Sequence, residues 1–552
     1  MKIKSPLRQR SYSVIATETR LRRLFALTLL ILLTAFASSP ALAQKQNSAK
    51  RQKLPSPEKI VNDYLKAIGG KKRVAAIKDA SYEWTLQTAR GGTATTQLKA
   101  PASTRMRITF SDVASAGESG QASAASASET VILNAGANAR SAWMRDSGGS
   151  LRTLTDAEAH TSKLQSVLDA SRLADYKKSN VLARTVGIDE SLGEAAYIVE
   201  FSLRNGARLR YWFSVSGKLL LATANDTQKI SRRFKDYKAE NGLLEPHRVE
   251  WRMGAGEALI LNLQSVRYNT SLSDSLFDPP GAEAIDVGAL LRELDRNQEE
   301  VEERVKDYTY TEKRTERKIN GRGEVTEETV KVFEIYPLSG RAPVRKLISE
   351  NGVPLSAEKA AKEEKRTGEE LEKAEREREK NVLKREREKQ KGKAEKPEDD
   401  EGIADFLRAA ELVSPRRESL RGREAIVFDF RPRAGHKPKG DLESIVSKVA
   451  GVVWIDPIDK QVMRLEARLI ESYKYGGGLV ANVRPGTSFI FEQKRMEDGV
   501  WLPVFTQVNL SAKVFLFKGI DLNVMQEFSN YQHFKSSYDD YNLTKPEEKN
   551  KP

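Results

Sequence analysis

Along most of the chain apolar residues recur at every second position, and at a few places the period lengthens to that of a helix. The first helical stretch follows Ser56, a capping residue with Pro57 in the first turn. Ile60, Val61, Tyr64, Leu65 and Ile68 fall on one face, and Gly69-Gly70 ends the run. Beyond it Tyr82, Trp84 and Leu86 alternate with polar residues, as do Met106, Ile108 and Phe110. Tyr197, Val199, Phe201 and Leu203 repeat the pattern, then Leu209, Tyr211 and Phe213 between arginines. Alternation of this kind predicts antiparallel strands with one apolar and one wet face. A helix over roughly Asp156 to Tyr176 interrupts them, and the Ser/Ala-rich stretch Ser111 to Ser128 reads as a mobile loop.

The second half repeats this order. A helix from about Asp286 carries Leu290, Leu291, Leu294, Val301 and Val305 and runs into a second strand start, Tyr308-Thr309-Tyr310. Gly193 to Phe201 matches Gly422 to Phe430, and Tyr211-Trp212-Phe213 matches Val453-Trp454-Ile455. Glu240-Asn241-Gly242-Leu243-Leu244-Glu245-Pro246 matches Glu497-Asp498-Gly499-Val500-Trp501-Leu502-Pro503. Asn-Gly and Asp-Gly predict hairpin turns, because both positions favour positive φ. The shared order implies an internal duplication. Between 356 and 402 the second copy carries an insert of Glu, Lys and Arg, with Glu358/Lys362, Glu369/Lys373 and Glu372/Arg376 at helical spacing. With no apolar stripe it reads as a solvated projecting helix; the sharper alternative is a docking arm for anionic surfaces.

The N-terminus sets the compartment. Seven basic residues precede the apolar run Leu24 to Ala37, and Ala41-Leu42-Ala43 offers a cleavage site before Gln44. That order is a signal peptide's, and the run falls short of the roughly 20 residues of a membrane span; the alternative is an uncleaved anchor. Removing 1–43 lowers the net charge from +15 to about +9. In an exported protein that excess suits solubility and weak attraction to anionic lipid or glycan, not nucleic acid. The chain has no cysteine, which excludes disulfides, thiolate metal sites, a cysteine nucleophile and a lipid-modified cysteine.

No catalytic pattern stands out. His160, His247, His436 and His533 have no metal-ligand spacing, and His247 reads as an exposed residue at a strand start. Gly476-Gly477-Gly478 lacks the lysine and helix of a phosphate loop, and Ser356-Ala357-Glu358-Lys359 is better read as a helix cap than as an S-x-x-K nucleophile. Neither catalytic residues, metal nor cofactor are expected. What remains is apolar surface: core if helices fill each concave sheet, a pocket if they do not.

The stretches LKAIGGKKRVAAIKD (65–79), WFSVSGKL (212–219), NGLLEP (241–246) and LQSVRYNTSLSDSLFDPP (263–280) together resemble the outer-membrane lipoprotein-sorting (LolA/LolB-like) superfamily. VWIDPIDKQVMRLEA (453–467) and DGVWLP (498–503) extend the resemblance, more loosely, to the second copy. The resemblance implies an open half-barrel of about eleven strands with a helical lid over an apolar cavity. It also implies carriage of acyl chains without catalysis or cofactor, or, in relatives that pair such a domain with another, envelope-stress sensing.

The expectation is therefore an α+β protein of two tandem antiparallel half-barrels, each with an N-terminal helix and a helical lid. The first spans 56–282 and the second 283–540 with the insert, after a linker at 44–55 and before a disordered tail at 541–552. It would be a soluble protein of the periplasm of a Gram-negative-type bacterium, binding a lipid or lipoprotein acyl chain. The alternative is a non-catalytic interaction or regulatory protein with filled cores. Tyr82, Trp84, Leu86, Met106, Ile108, Phe110, Tyr197, Val199, Phe201, Leu209, Tyr211 and Phe213 would line the first cavity. Phe428, Phe430, Trp454, Met463, Leu465, Phe489 and Phe491 would line the second. Another envelope protein or an anionic membrane surface could meet the charged insert.

Overall fold

A computed structural model describes residues 54–533, apart from 89–90, 112–128, 282, 306, 322, 339–340, 391–402, 439, 476–477, 479 and 515–517. The signal segment with its Ala43/Gln44 cleavage position, linker residues 44–53 and the tail at 541–552 lie outside the described residues, as do most of the Ser/Ala-rich loop and the end of the insert.

Helices α1 (Pro57–Ala67) and α2 (Lys71–Ala75) come first. Then follow β1 (Asp79–Gln87), β2 (Thr93–Lys99), β3 (Ser103–Ser111), β4 (Glu129–Ala137), β5 (Ala142–Asp146) and β6 (Leu151–Thr153). Helix α3 (Asp156–Ala170) and a 3-10 turn (Tyr176–Ser179) lead to β7 (Leu182–Asp189), β8 (Ala196–Ser202) and β9 (Arg208–Ser214). Strands β10 (Leu220–Asn225), β11 (Ile230–Glu240), β12 (Leu243–Met253) and β13 (Leu259–Tyr268) complete the first sheet. Helix α4 (Val287–Val305) opens the second half, before β14 (Tyr308–Ile319), β15 (Val325–Leu338), β16 (Arg341–Glu350) and β17 (Val353–Pro354). Helices α5 (Ala357–Gln390) and α6 (Ile403–Ala409) precede β18 (Ala410–Leu420) and β19 (Arg423–Pro432). After α7 (Gly440–Val446) come β20 (Val449–Ile455), β21 (Val462–Leu469), β22 (Tyr473–Tyr475) and β23 (Ala481–Val483). The last three are β24 (Ser488–Arg495), β25 (Trp501–Val514) and β26 (Lys518–His533).

The strands form two open antiparallel sheets of thirteen strands each, two more than the resemblance implied. Both wind alike. The first strand lies beside the last (β1 by β13, β14 by β26), the early strands run outward on one side and the later ones on the other. Counting back from the last strand, β7 to β13 correspond to β18–β21 and β24–β26, the β22–β23 hairpin being additional. Every sequence match between the halves falls on corresponding strands: Phe201 and Phe430 on β8 and β19, Trp212 and Trp454 on β9 and β20, and the NGLLEP and DGVWLP turns before β12 and β25.

Burial outweighs capping in α1. Ser56 Oγ accepts from the Lys59 N–H at 3.3 Å, a cap that contributes about 1 kcal/mol. Ile60, Val61 and Leu65 are buried, each contributing about 1.5–3 kcal/mol. The helix then meets the β11–β12 turn. Gly69 has φ +127°, and a Cβ there would lie 2.8 Å from the Gly242 carbonyl oxygen. The Ile68 carbonyl takes the Leu244 N–H at 3.0 Å. In that turn Asn241 and Gly242 both have positive φ, as the sequence predicts. The matching turn differs: only Gly499 does, because the Gly499 N–H bonds the Met496 carbonyl in a longer loop.

The charged insert is not wholly a projecting helix. The first half of α5 packs on β16, whose outer edge is otherwise paired only by the two-residue β17. Glu363 accepts from the Leu347 N–H at 3.3 Å, and Arg366 donates to the Arg345 carbonyl at 2.5 Å. Thr367 and Ala374 are buried beneath it. Side chains thus satisfy backbone groups that an open edge leaves free. Glu358–Lys362 and Glu372–Arg376 pair as their spacing predicts, whereas Glu369 faces Lys365. Ser356 Oγ accepts from the Lys359 N–H, so the S-x-x-K match is a helix cap.

Candidate functional site

The concave face of the first sheet carries two joined apolar clusters. One combines Val199, Phe201, Leu209, Tyr211 and Phe213 with residues of α1 and with Leu164, Val167 and Leu168 of α3. Helix α3 ends at Ala170, short of the expected Tyr176, and Tyr176 packs into this cluster from the 3-10 turn. The rings run in a chain: Tyr176 to Phe201 at 5.3 Å, Phe201 to Tyr211 at 5.0 Å, and Phe213 to Tyr64 at 5.4 Å. The other cluster holds Tyr82, Trp84, Leu86 and Ile108 with Val249, Trp251, Leu261 and Leu263. Ile77, Phe234 and Tyr268 pack against both. Met106, Phe110 and Tyr197 are partly buried at the margins. The structure therefore brings the twelve first-domain candidates onto one surface, and helices contribute only to the first of its clusters.

Between the two clusters lies a polar group that the alternation pattern hides. Arg172, just past α3, bonds Glu245 of β12 and the Tyr82 hydroxyl. Glu245 also accepts from the Tyr268 hydroxyl at 2.5 Å, and the Arg172 guanidinium stands 5.7 Å from the Tyr268 ring. Burial pushes both tyrosine hydroxyls well above their usual range, so they are donors at neutral pH. Arg172 and Leu173 are consecutive non-glycine residues at positive φ, 48° and 62°. A second bridge ties α3 to the sheet, Asp169 to Arg232 at 2.9 Å. Sequence did hold one clue. Glu245 occupies an inward position two residues after buried Leu243, where the second copy has buried Leu502.

In the second sheet Phe428, Phe430, Leu465, Phe489 and Phe491 share a face and a core with Leu290, Leu291 and Leu294 of α4, Phe406 and Leu407 of α6 and Val446 of α7. Trp454 and Met463 stand apart from these five. They belong to the opposite face, with Ala425, Val427, Val452 and Trp501. The expected wet face is not wet: all seven residues of β20 are buried.

Two packings make it dry: Val301 of α4 and Leu420 lie against the Trp454 cluster, and the first half of the chain covers the polar positions of the same face. The outer face of the second sheet covers α3 and the β4–β5 turn of the first domain. Arg464 of β21 pairs with Asp156 of α3 at 2.5 Å, and with Glu466 and Glu492 at 2.9 and 2.6 Å. Asp429 accepts from Ser141 at 2.8 Å and pairs with Arg416 at 3.1 Å. Glu418 accepts from both the N–H and hydroxyl of Thr153, at 2.7 and 2.6 Å. Asp156 is held below the usual carboxylate range: burial alone would raise it, and the charge and hydrogen bond of Arg464 outweigh that. Glu492 goes the other way, because burial outweighs Arg464 and Arg421.

A groove of about 720 Å³ and a cavity of about 80 Å³ lie at this junction, and of the proposed lining residues only Phe489 borders either. Two arginines of the groove are ion-paired, Arg417 with Glu283 at 2.8 Å and Arg416 with Glu418 at 2.6 Å, and the third, Arg145, donates to the Gly149 carbonyl at 2.9 Å. His247 is half-buried within β12 with Nε2 3.0 Å from Glu240, not exposed at a strand start. Among the described residues no group of three His, Asp or Glu could hold a metal ion, and no helix is long and apolar enough to cross a membrane.

These two open, concave sheets with helices in their hollows define an α+β half-barrel architecture used twice. No protein-family model and no curated protein matches the chain. Among solved structures it is similar to a LolA superfamily protein from Nitrosomonas europaea, at 12% identity over 41% of this chain and 98% of that one, with a TM-score of 0.27. It is also similar to an outer membrane lipoprotein-sorting protein domain from Vibrio parahaemolyticus, at 11% identity over 40% and 94% with a TM-score of 0.25. The Pseudomonas aeruginosa MucA/MucB complex matches along both halves, at 9% identity over 86% and 99% with a TM-score of 0.16.

Proposed function

We propose that this chain is a non-catalytic binding protein of the bacterial envelope, exported to the periplasm, that takes a lipid or lipoprotein acyl chain into its first half-barrel. The observation that carries the reading is how differently the two concave faces are covered. Three helices fill the second over β19 to β25, and β20 in its centre is buried on both faces, so it serves as a scaffold. In the first, the strand-only cluster of Tyr82, Trp84, Leu86 and Trp251 adjoins a helix, α3, whose outer side is held by polar contacts with the second domain. An acyl chain displacing Leu164, Val167 and Leu168 of α3 would bury its methylenes against Phe201, Tyr211 and Phe213 and extend onto the adjoining Trp84 and Trp251, at about 25 cal/mol per Å². Arg172, Tyr82 and Tyr268 are the few polar groups that would orient its carboxyl or ester end. The shared winding of the two sheets supports descent from one duplicated unit.

A second reading, an interaction or regulatory protein with filled cores, is favoured by the buried state of most lining candidates. Its partner would be another envelope protein or an anionic membrane surface meeting the charged α5. Quenching of Trp84 and Trp251 by a brominated fatty acid separates the two, since only an acyl chain seated on the first concave face brings bromine to those rings.

A further inference from the structure

The cavity of about 80 Å³ at the domain junction is lined by two cations that have no ion-pair partner. It lies between α3 with the turn after it on one side and β20, β21, β24 and β25 on the other. Lys163, His160 and Arg204 reach it from the first domain, Arg468 and Glu466 from the second. Glu466 is taken by Arg464 at 2.9 Å, and Arg204 by Asp521 at 2.9 Å.

Lys163 and Arg468 have no such partner. Among the described residues neither has a carboxylate within ion-pair distance. Lys163 Nζ gives one hydrogen bond, to the Arg140 carbonyl at 2.8 Å, and Arg468 one, to the Ala139 carbonyl at 3.2 Å. The Arg468 Nε–H is buried without an acceptor, and so is the Ser511 hydroxyl on the same wall. Two half-buried cations facing one cavity are costly unless an anion joins them. Their surroundings register that cost: burial pushes the Lys163 ammonium down to about 8, with Glu466 opposing and Arg468 adding to the fall, and burial lowers Arg468 as well.

We propose that this cavity binds a small oxyanion, a carboxylate or phosphate group, between Lys163 on α3 and Arg468 on β21. Arg468 offers its Nε–H, Lys163 its remaining N–H donors and Ser511 its hydroxyl. The cavity volume suits one such group, and its apolar walls at Leu203, Phe489 and Ile490 admit an organic acid as readily as a free ion. Because the two cations belong to different domains, the anion ties α3 to the second sheet. The proposal does not depend on acyl-chain binding to the concave face.

Titration calorimetry and thermal unfolding of the exported chain test it, with sodium phosphate or sodium octanoate at ionic strength held constant with chloride. Saturable binding with a rise in Tm of roughly 2–4 °C at saturation is expected for at least one anion. Phosphate alone identifies a free or esterified phosphate, and octanoate alone the carboxyl end of an organic acid. Lys163→Met and Arg468→Met should each abolish the binding, with Tm in chloride no lower than the parent's because each removes a half-buried charge that has no ion-pair partner. Absence of saturable binding by the parent chain, or binding that persists in both variants, overturns the proposal.

Discussion

Residue 69 is where the first helix is fixed to the sheet. With φ +127° and the Gly242 carbonyl oxygen 2.8 Å from the place of a Cβ, Gly69→Ala carries both backbone strain and a clash. Urea unfolding should register a loss of about 1–3 kcal/mol. Lys163 gives a pH signature. Its usual value is 10.5 and the folded chain lowers it to about 8, so between those values the unfolded chain holds the proton that the folded chain has lost. Stability therefore rises with pH across that window. Glu466 and Asp429 work against the shift, Arg468 with it, and His160 stands alongside, itself lowered by burial. Lys163→Met should flatten that part of the stability–pH curve. Little of this was legible from residue order. Arg172 and Glu245 are 73 positions apart, and nothing local to either announces the other. Apolar lining positions, by contrast, follow from period-two alternation alone, and the first twelve do share one surface.

At the scale of elements, α5 solves a problem that the open sheet creates. The outer edge of β16 would present free N–H and carbonyl groups to any passing strand, and Glu363 and Arg366 occupy two of them. The double variant Glu363→Ala/Arg366→Ala should keep the helix yet raise the concentration-dependent average mass in light scattering above that of the parent chain. Helical spacing of charges predicts α5 well, but its docking follows from which strand lies at the edge. That is a property of strand order, and strand order does not show in a charge pattern. Hairpin turns were legible for a related reason: Asn-Gly fixes two positive φ values locally, whereas Asp498-Gly499 sits in a loop whose length is set by β24 and β25.

In the whole molecule the second domain acts on the first through α3. Its outer face holds that helix with Arg464, whose side chain is 1% exposed and which touches Asp156, Glu466 and Glu492. Arg464→Met strands buried carboxylates at a cost of about 3–5 kcal/mol. Amide exchange in α3 should then quicken by roughly 100-fold or more, while the core of the second sheet keeps its protection. This packing also explains where alternation failed. The all-apolar run of β20 and the inward-reading Trp454 and Met463 fit a concave lining equally well, and only the packing of α4 and of the first half of the chain makes the other face dry.

Brominated stearic acid titrated into the chain from residue 44 onward tests acyl-chain binding by the first half-barrel most directly. An acyl chain seated there gives saturable quenching of tryptophan fluorescence that falls sharply in Trp84→Phe/Trp251→Phe and persists in Trp454→Phe. Quenching that is absent, or that does not distinguish these variants, would contradict it and leave the filled-core reading.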